Sequence, residues 1–157
     1  MRAIRRAVVA LASVVLAGGL VTATSGTASA AAACPAQGHR IKTSGDATVY
    51  LIGPSNVMYR FEDTVEYFAL YNSYSGIMTV SDDAYFACLD QQPDDGPWPL
   101  PYAELDKVSG TPKVYFYDAY HGGWRWITSQ SVFDRYGFAA SKIEPTPSVD
   151  RVDKNWS

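Results

Sequence analysis

The chain has 157 residues, with 13 Lys and Arg against 16 Asp and Glu, 13% aromatic residues and two cysteines. Three of the basic residues, Arg2, Arg5 and Arg6, stand in the first stretch; without them ten positive charges face 16 negative ones, a net charge of −6. That balance excludes nucleic acid and anionic lipid surfaces as partners, since both need a basic face, and leaves protein, sugar or cationic partners open.

The three arginines precede an apolar run from Ala7 to Leu20 and a small-residue end at Ala28-Ser29-Ala30, the three-part pattern of a secretory signal. The pattern predicts a signal peptide over 1–30 and a secreted, extracellular mature domain over 31–157. The apolar run is too short and too rich in Ala and Gly for a membrane anchor, and no later stretch approaches a bilayer-spanning length. Export and an even cysteine count predict a disulfide between Cys34 and Cys88. The bond would close a loop that the chain-entropy model values at about 4 kcal/mol. The cysteines and histidines lack metal-ligand spacing, so neither metal nor cofactor is expected.

Shifting the sequence by 65 positions without a gap lays Lys42, Ser44, Gly45, Val49, Tyr50, Arg60, Phe68 and Tyr71 on Lys107, Ser109, Gly110, Val114, Tyr115, Arg125, Phe133 and Tyr136. Eight identities over roughly 42 positions, where unrelated sequences give about two or three, predict a repeated unit. Repeat one covers about 41–88, a Pro-rich connector 89–103, and repeat two about 104–150. In repeat one, Thr48–Ile52, the turn residues Gly53-Pro54-Ser55-Asn56 and Val57–Phe61 read as a hairpin. Asp63 with Glu66 then reads as a capping box, with Phe68 and Tyr71 facing the sheet, Asn72 ending the helix and Ile77–Val80 closing the unit. Asp82-Asp83, read as strand residues, would point to opposite faces, as solvated charges or a modest calcium site. Asp94-Asp95 falls in the connector. Repeat two gives Lys113–Tyr117, a turn through His121-Gly122-Gly123, then Trp124–Ile127. A helix capped by Thr128 or Ser129 and ended by Gly137 follows, then an edge strand from Ile143 limited by Pro145 and Pro147. The expected fold is β-rich α+β: two tandem hairpin–short helix–strand repeats packed as one compact domain with one disulfide.

Val114-Tyr115-Phe116, Trp124-Arg125-Trp126-Ile127-Thr128-Ser129, Val132-Phe133 and Tyr136-Gly137-Phe138 resemble the short VY…R-W-I-x-S…VF…GF repeats of exported actinobacterial accessory proteins. Repeat one departs from that pattern at Phe61 and Asn72-Ser73. The resemblance implies a recognition or scaffold role and no catalytic motif. Size, export and duplication are also similar to small adaptor subunits of umbrella-type secreted toxin particles.

Candidate chemistry is sparse. His39 and His121 lack a nucleophile elbow, and Ser129 already has a capping role. Tyr117, Tyr120, Trp124 and Trp126 bracket one hairpin and are the expected binding residues, as stacking platforms for sugars or anchors for a protein. The segment Ala36–Ile41 is a second candidate, as a strand for a partner's open edge. The sequence therefore points to a non-enzymatic secreted binding or adaptor module with an extracellular protein partner. The alternatives are a cell-wall or polysaccharide reader, an extracellular protease inhibitor and, less favoured, a small hydrolase.

Overall fold

A computed structural model describes residues 32–93, 96–150 and 154–157. The signal segment 1–30 and Asp94-Asp95 lie outside the described residues.

The first half begins with strand β1 (Arg40–Thr43), then β2 (Tyr50–Ile52) and β3 (Met58–Arg60). A turn through Gly53–Asn56 joins the last two, with Ser55 and Asn56 at φ 58° and 59°, a left-handed conformation that Asn tolerates better than most residues. Helix α1 (Thr64–Leu70) follows, then strand β4 (Ile77–Val80), helix α2 (Asp82–Leu89) and a short strand β5 (Trp98–Pro99). These strands form one sheet in the order β4-β1-β2-β3-β5. The second half supplies β6 (Leu105–Val108), β7 (Val114–Asp118), β8 (Gly123–Ile127), helix α3 (Gln130–Arg135) and β9 (Ile143–Thr146), giving a second sheet in the order β8-β7-β6-β9. The protein is thus β-rich, with two sheets, three α-helices and one disulfide among the described residues.

Each helix starts where a side chain caps it. Asp63 accepts from the backbone N–H groups of Val65 and Glu66, while Glu66 reaches back to accept from the Glu62 N–H, one residue earlier than a standard capping box. Ser129 accepts from Val132 N–H at the start of α3. Ser81 does the same for α2, accepting from Ala84 N–H. Asp82 and Asp83 therefore lie in a helix's first turn, where carboxylates are favourable, and not in a strand. Gly137 takes φ 62° after α3 as expected, but α1 ends in extended Tyr71 at φ −131° and Asn72 is not left-handed.

The two sheets share one core. Leu51, Tyr59 and Phe61 from the first, Leu105, Phe116 and Ile127 from the second, and Tyr67, Leu70, Phe133 and Tyr136 from the helices join a single cluster around Trp156. Trp156, near the chain's end, is fully buried, and its backbone N–H donates to the Trp126 carbonyl. The opposite face of the first sheet carries a smaller cluster in which Ile41, Tyr50, Ile52 and Met58 pack under Cys88, with Cys34, Tyr85 and Leu89 against it. The Cys34–Cys88 bond spans 54 positions and ties the start of the described chain to α2.

Three expectations change. The Pro-rich connector is more than a link between halves, because β5 within it pairs parallel with β3 through Tyr59 and Trp98. The segment before Ile41 is not free to join a partner's sheet, since β1 lies between β2 and β4 in its own. Arg60 and Arg125 do not occupy matching positions: Arg60 pairs with Tyr50, whereas Arg125 pairs with Phe116.

Loss of the disulfide by Cys88→Ser should cost about 2–5 kcal/mol, measured by chemical denaturation, with peptide mapping under non-reducing conditions finding no free thiol in the parent protein. Burial also pushes the phenol of Tyr136 up to about 12, and raises those of Tyr50, Tyr59, Tyr67 and Tyr71 from their usual 10.0. A phenol whose folded-state pKa is raised supports folding fully below its unfolded value. That support is lost as pH rises through the folded value, so stability should fall above about pH 10. Phenolate absorbance should show these rings ionising together with unfolding; titration of every tyrosine at an ordinary midpoint in a still-folded chain would contradict it.

Candidate functional site

Strand alternation divides the β7–β8 hairpin into two faces with different jobs. Phe116 and Ile127 point inward and belong to the shared core. Tyr115 lies opposite Trp126, and Tyr117 opposite Trp124, so these four rings share the outer face. Tyr115 and Trp124 are each 8% exposed, yet neither joins a core cluster. Tyr117 and Trp126 are half-buried. Tyr117 meets Trp124 edge-on at 5.2 Å, and Lys113 Nζ sits 5.0 Å from the Trp126 ring centre. The ring row continues across the sheet into acid: Tyr115 pairs with Asp106, and Asp106 with Glu144. Glu104, two residues before Asp106, is on the same side, and its carbonyl accepts from Tyr117 N–H. Burial, then repulsion from Glu144, raises the Asp106 carboxyl above its usual range. Burial, then repulsion from Asp106, does the same to Glu104.

The structure therefore gathers three of the four expected binding residues, Tyr117, Trp124 and Trp126, on one face. Tyr120 is separated from them. It lies in the turn, 44% exposed, stacked on Trp98 at 3.9 Å with planes 10° apart. Trp124 is buried and not a free tip ring, while Trp126 is more accessible than a core tryptophan. Tyr115 and the acidic row were legible only through cross-strand register, which the sequence alone does not specify.

The inner side of the same hairpin holds the most buried charges among the described residues. Asp118 is fully buried and accepts from Arg125 Nη1 at 2.9 Å and from Tyr59 Oη at 3.0 Å. His121 Nδ1 lies 2.6 Å from the same carboxylate, and its ring meets Trp98 edge-on at 5.2 Å. Arg125 also donates to the carbonyls of Lys154 and Asn155 and lies 5.0 Å over Trp156. The contacts of Tyr59, Asp118 and Arg125 in this cluster all run to other parts of the fold. The His121–Asp118 pair is accordingly read as a joint between hairpin and core.

Each sheet also has a cleft beside its helix. One, of about 640 Å³, is lined by Val49, Phe61, Tyr67 and Ile77, with Lys42 and Asp63 at its mouth. The other, of about 250 Å³, is lined by Val114, Ile127, Phe133 and Ile143, with Lys113 and Ser129 at its mouth.

Among the described residues no group of His, Cys, Asp or Glu is placed to hold a metal ion, and no helix is long and apolar enough to cross a membrane. No family model, curated protein or solved structure matches the chain.

Replacing Arg125 by Met would leave the Asp118 carboxylate buried without its cation, at a cost of about 3–5 kcal/mol. Adding Asp118→Asn to that variant should recover part of the loss. Urea denaturation checks both, and an Arg125→Met chain as stable as the parent would show that the pair does not hold the hairpin to the core.

Proposed function

We propose that the chain is an exported, non-enzymatic binding or adaptor module that docks to a larger extracellular protein assembly through the aromatic outer face of the second sheet. The observation that carries this reading is the placement of Tyr115, Tyr117, Trp124 and Trp126 side by side outside both core clusters. Aromatic rings of this kind supply most of the binding energy where proteins meet, because they bury large area at little cost in side-chain entropy. The disulfide suits an oxidising compartment, in keeping with the signal-like first stretch.

We also read the two sheets as two copies of one unit, a reading that suits a scaffold. β1 pairs antiparallel with β2 and parallel with β4, as β6 pairs with β7 and β9. Arg40 and Ile41 face Leu51 and Tyr50, and Leu105 and Asp106 face Phe116 and Tyr115, an offset of 65 throughout. Past the hairpin turn the offset is 66: caps Asp63 and Ser129 differ by that number, as do the ladder partners Ile77 and Ile143. Ten of the eleven positions lining each cleft match under these two offsets. One residue added in the second hairpin accounts for the displaced arginines. The module then belongs beside the exported repeats it resembles, and an adaptor place in a toxin particle is one assembly it suits.

The test is co-purification from culture supernatant with the tagged secreted protein and its Tyr117→Ser/Trp126→Ala variant, both half-buried positions. A stoichiometric protein captured by the parent and lost by the variant at unchanged melting temperature is the expected result; equal capture by both would remove the face from the function. The side-by-side rings also suit sugar stacking, and sedimentation of the parent with insoluble cell-wall polysaccharide, without protein capture, would favour that reading.

A further inference from the structure

We propose that β4 is a dimerisation edge, whose outer side pairs antiparallel with the same strand of a second copy of this chain. Four strands end the two sheets, β4 and β5 in the first, β8 and β9 in the second. An open edge invites any free strand, and proteins blunt their edges with proline, charge, brevity or cover. Three of the four are blunted in this way. β5 is two residues long, with Pro97 before it and Pro99 within it. β9 carries Glu144 and Pro145. β8 is met by Trp156, which bridges to Ile127 and donates its backbone N–H to the Trp126 carbonyl. β4, Ile77-Met78-Thr79-Val80, has neither proline nor charge, and both Met78, at 41%, and Thr79 are exposed. Among the described residues its one strand partner is β1. Asp94-Asp95 and residues 151–153 lead in sequence into β5 and Trp156, not into β4.

The ladders fix which groups β4 offers. In a parallel pair every second residue turns its N–H and C=O to the neighbouring strand, and the others turn away. In β9 the Thr146 carbonyl accepts from Ser109 N–H, next to β6, so Ile143 and Pro145 turn outward. Lys42 faces Thr79 as Lys107 faces Pro145, so Ile77 and Thr79 turn outward in β4. In keeping with this, Ile77 N–H donates to the Tyr74 carbonyl in its own turn. Thr79 therefore presents one donor and one acceptor at the place where the second sheet has a proline and no donor. One donor beside one acceptor is self-complementary. About a two-fold axis at Thr79, each copy's N–H meets the other's C=O, and Met78 of one lies across from Val80 of the other. Met78 and Val80 share the α2 side of the sheet, where Val80 packs against the smaller cluster, so the pairing extends that cluster across the axis. Antiparallel pairing sends the two copies' Asp82-Asp83 to opposite ends of the new ladder, so these like charges do not meet. A longer foreign strand gains less, because Ile77 N–H is already engaged.

The test is sedimentation equilibrium of the full secreted protein at concentrations up to about 1 mM. The average mass should rise with concentration toward twice that of one chain. Thr79→Pro, which copies Pro145 and removes a donor that the chain's own ladder does not use, should weaken association at least about tenfold at unchanged melting temperature. Met78→Lys places a charge on the edge at an exposed position and should do the same, and it decides the matter alone if Thr79→Pro fails to fold. Tyr117→Ser/Trp126→Ala should leave the dimer intact, which separates this edge from the docking face proposed above. A chain still monomeric at about 1 mM, dimers of both β4 variants as tight as the parent's, or a dimer lost only in the Tyr117→Ser/Trp126→Ala variant would overturn the proposal. If the chain stays monomeric but an added Val/Thr peptide protects Thr79 N–H from hydrogen exchange, the edge takes a partner's strand and the second copy is wrong.

Discussion

The architecture turns on one buried carboxylate. Asp118 sits at the end of β7 with no solvent to stabilise its charge, and its partners come from three separate parts of the chain: Arg125 on β8, His121 in the turn and Tyr59 on β3. Arg125 extends the network to the last residues through the carbonyls of Lys154 and Asn155. A buried ion pair stabilises little against an apolar equivalent, but half of one is costly, so the pair admits few alternative packings of the two sheets. Through Tyr59 it joins the β7–β8 hairpin to the first sheet.

Much of this was legible locally. Both hairpins, the Asp63 and Ser129 caps, the Gly137 terminus, the edge strand at Ile143 and the disulfide all follow from short-range chemistry that acts in the same way wherever the segment is placed. The gaps have physical causes too. α2 escaped because Asp82-Asp83 reads as a strand end unless Ser81 is recognised as its cap. Trp156 sits in a short polar tail with no periodic pattern around it, yet long-range packing makes it the centre of the core. On the two-copy reading, the shift by 65 hides an added hairpin residue, because chance matches such as Arg60 with Arg125 keep the register scoring well past the turn where it changes.

On that reading, the same register change explains why the two arginines have such different environments. Arg60 stands on the outward side of β3, where it reaches Glu62 at 2.8 Å with both side chains well exposed, an ion pair of small energetic weight. One more residue in the second turn rotates Arg125 to the inward side, beside Asp118, and gives the outward place to Trp126. A single inserted residue thus moves a charge into the core and a tryptophan onto the surface, since a strand position shifted by one changes face.

On the two-copy reading, the halves then divide their labour by what lies on their outer faces. The first sheet is closed by α2, and the Cys34–Cys88 bond fixes that helix at its C-terminal turn, so that face contributes to stability and presents few rings. In the second sheet Ile52 and Met58 have Tyr117 and Trp124 as their counterparts, rings that offer a broad apolar plane, half-buried at Tyr117 and buried at Trp124. Because inward and outward residues alternate along β7 and β8, the inward set of Phe116, Asp118, Arg125 and Ile127 joins the core and its buried ion pair while Tyr117 and Trp126 stay half-buried on the outward side. On the docking reading, binding and stability are thereby separable within five-residue strands, since Tyr117 and Trp126 lie on the far side of the sheet from the Asp118 cluster.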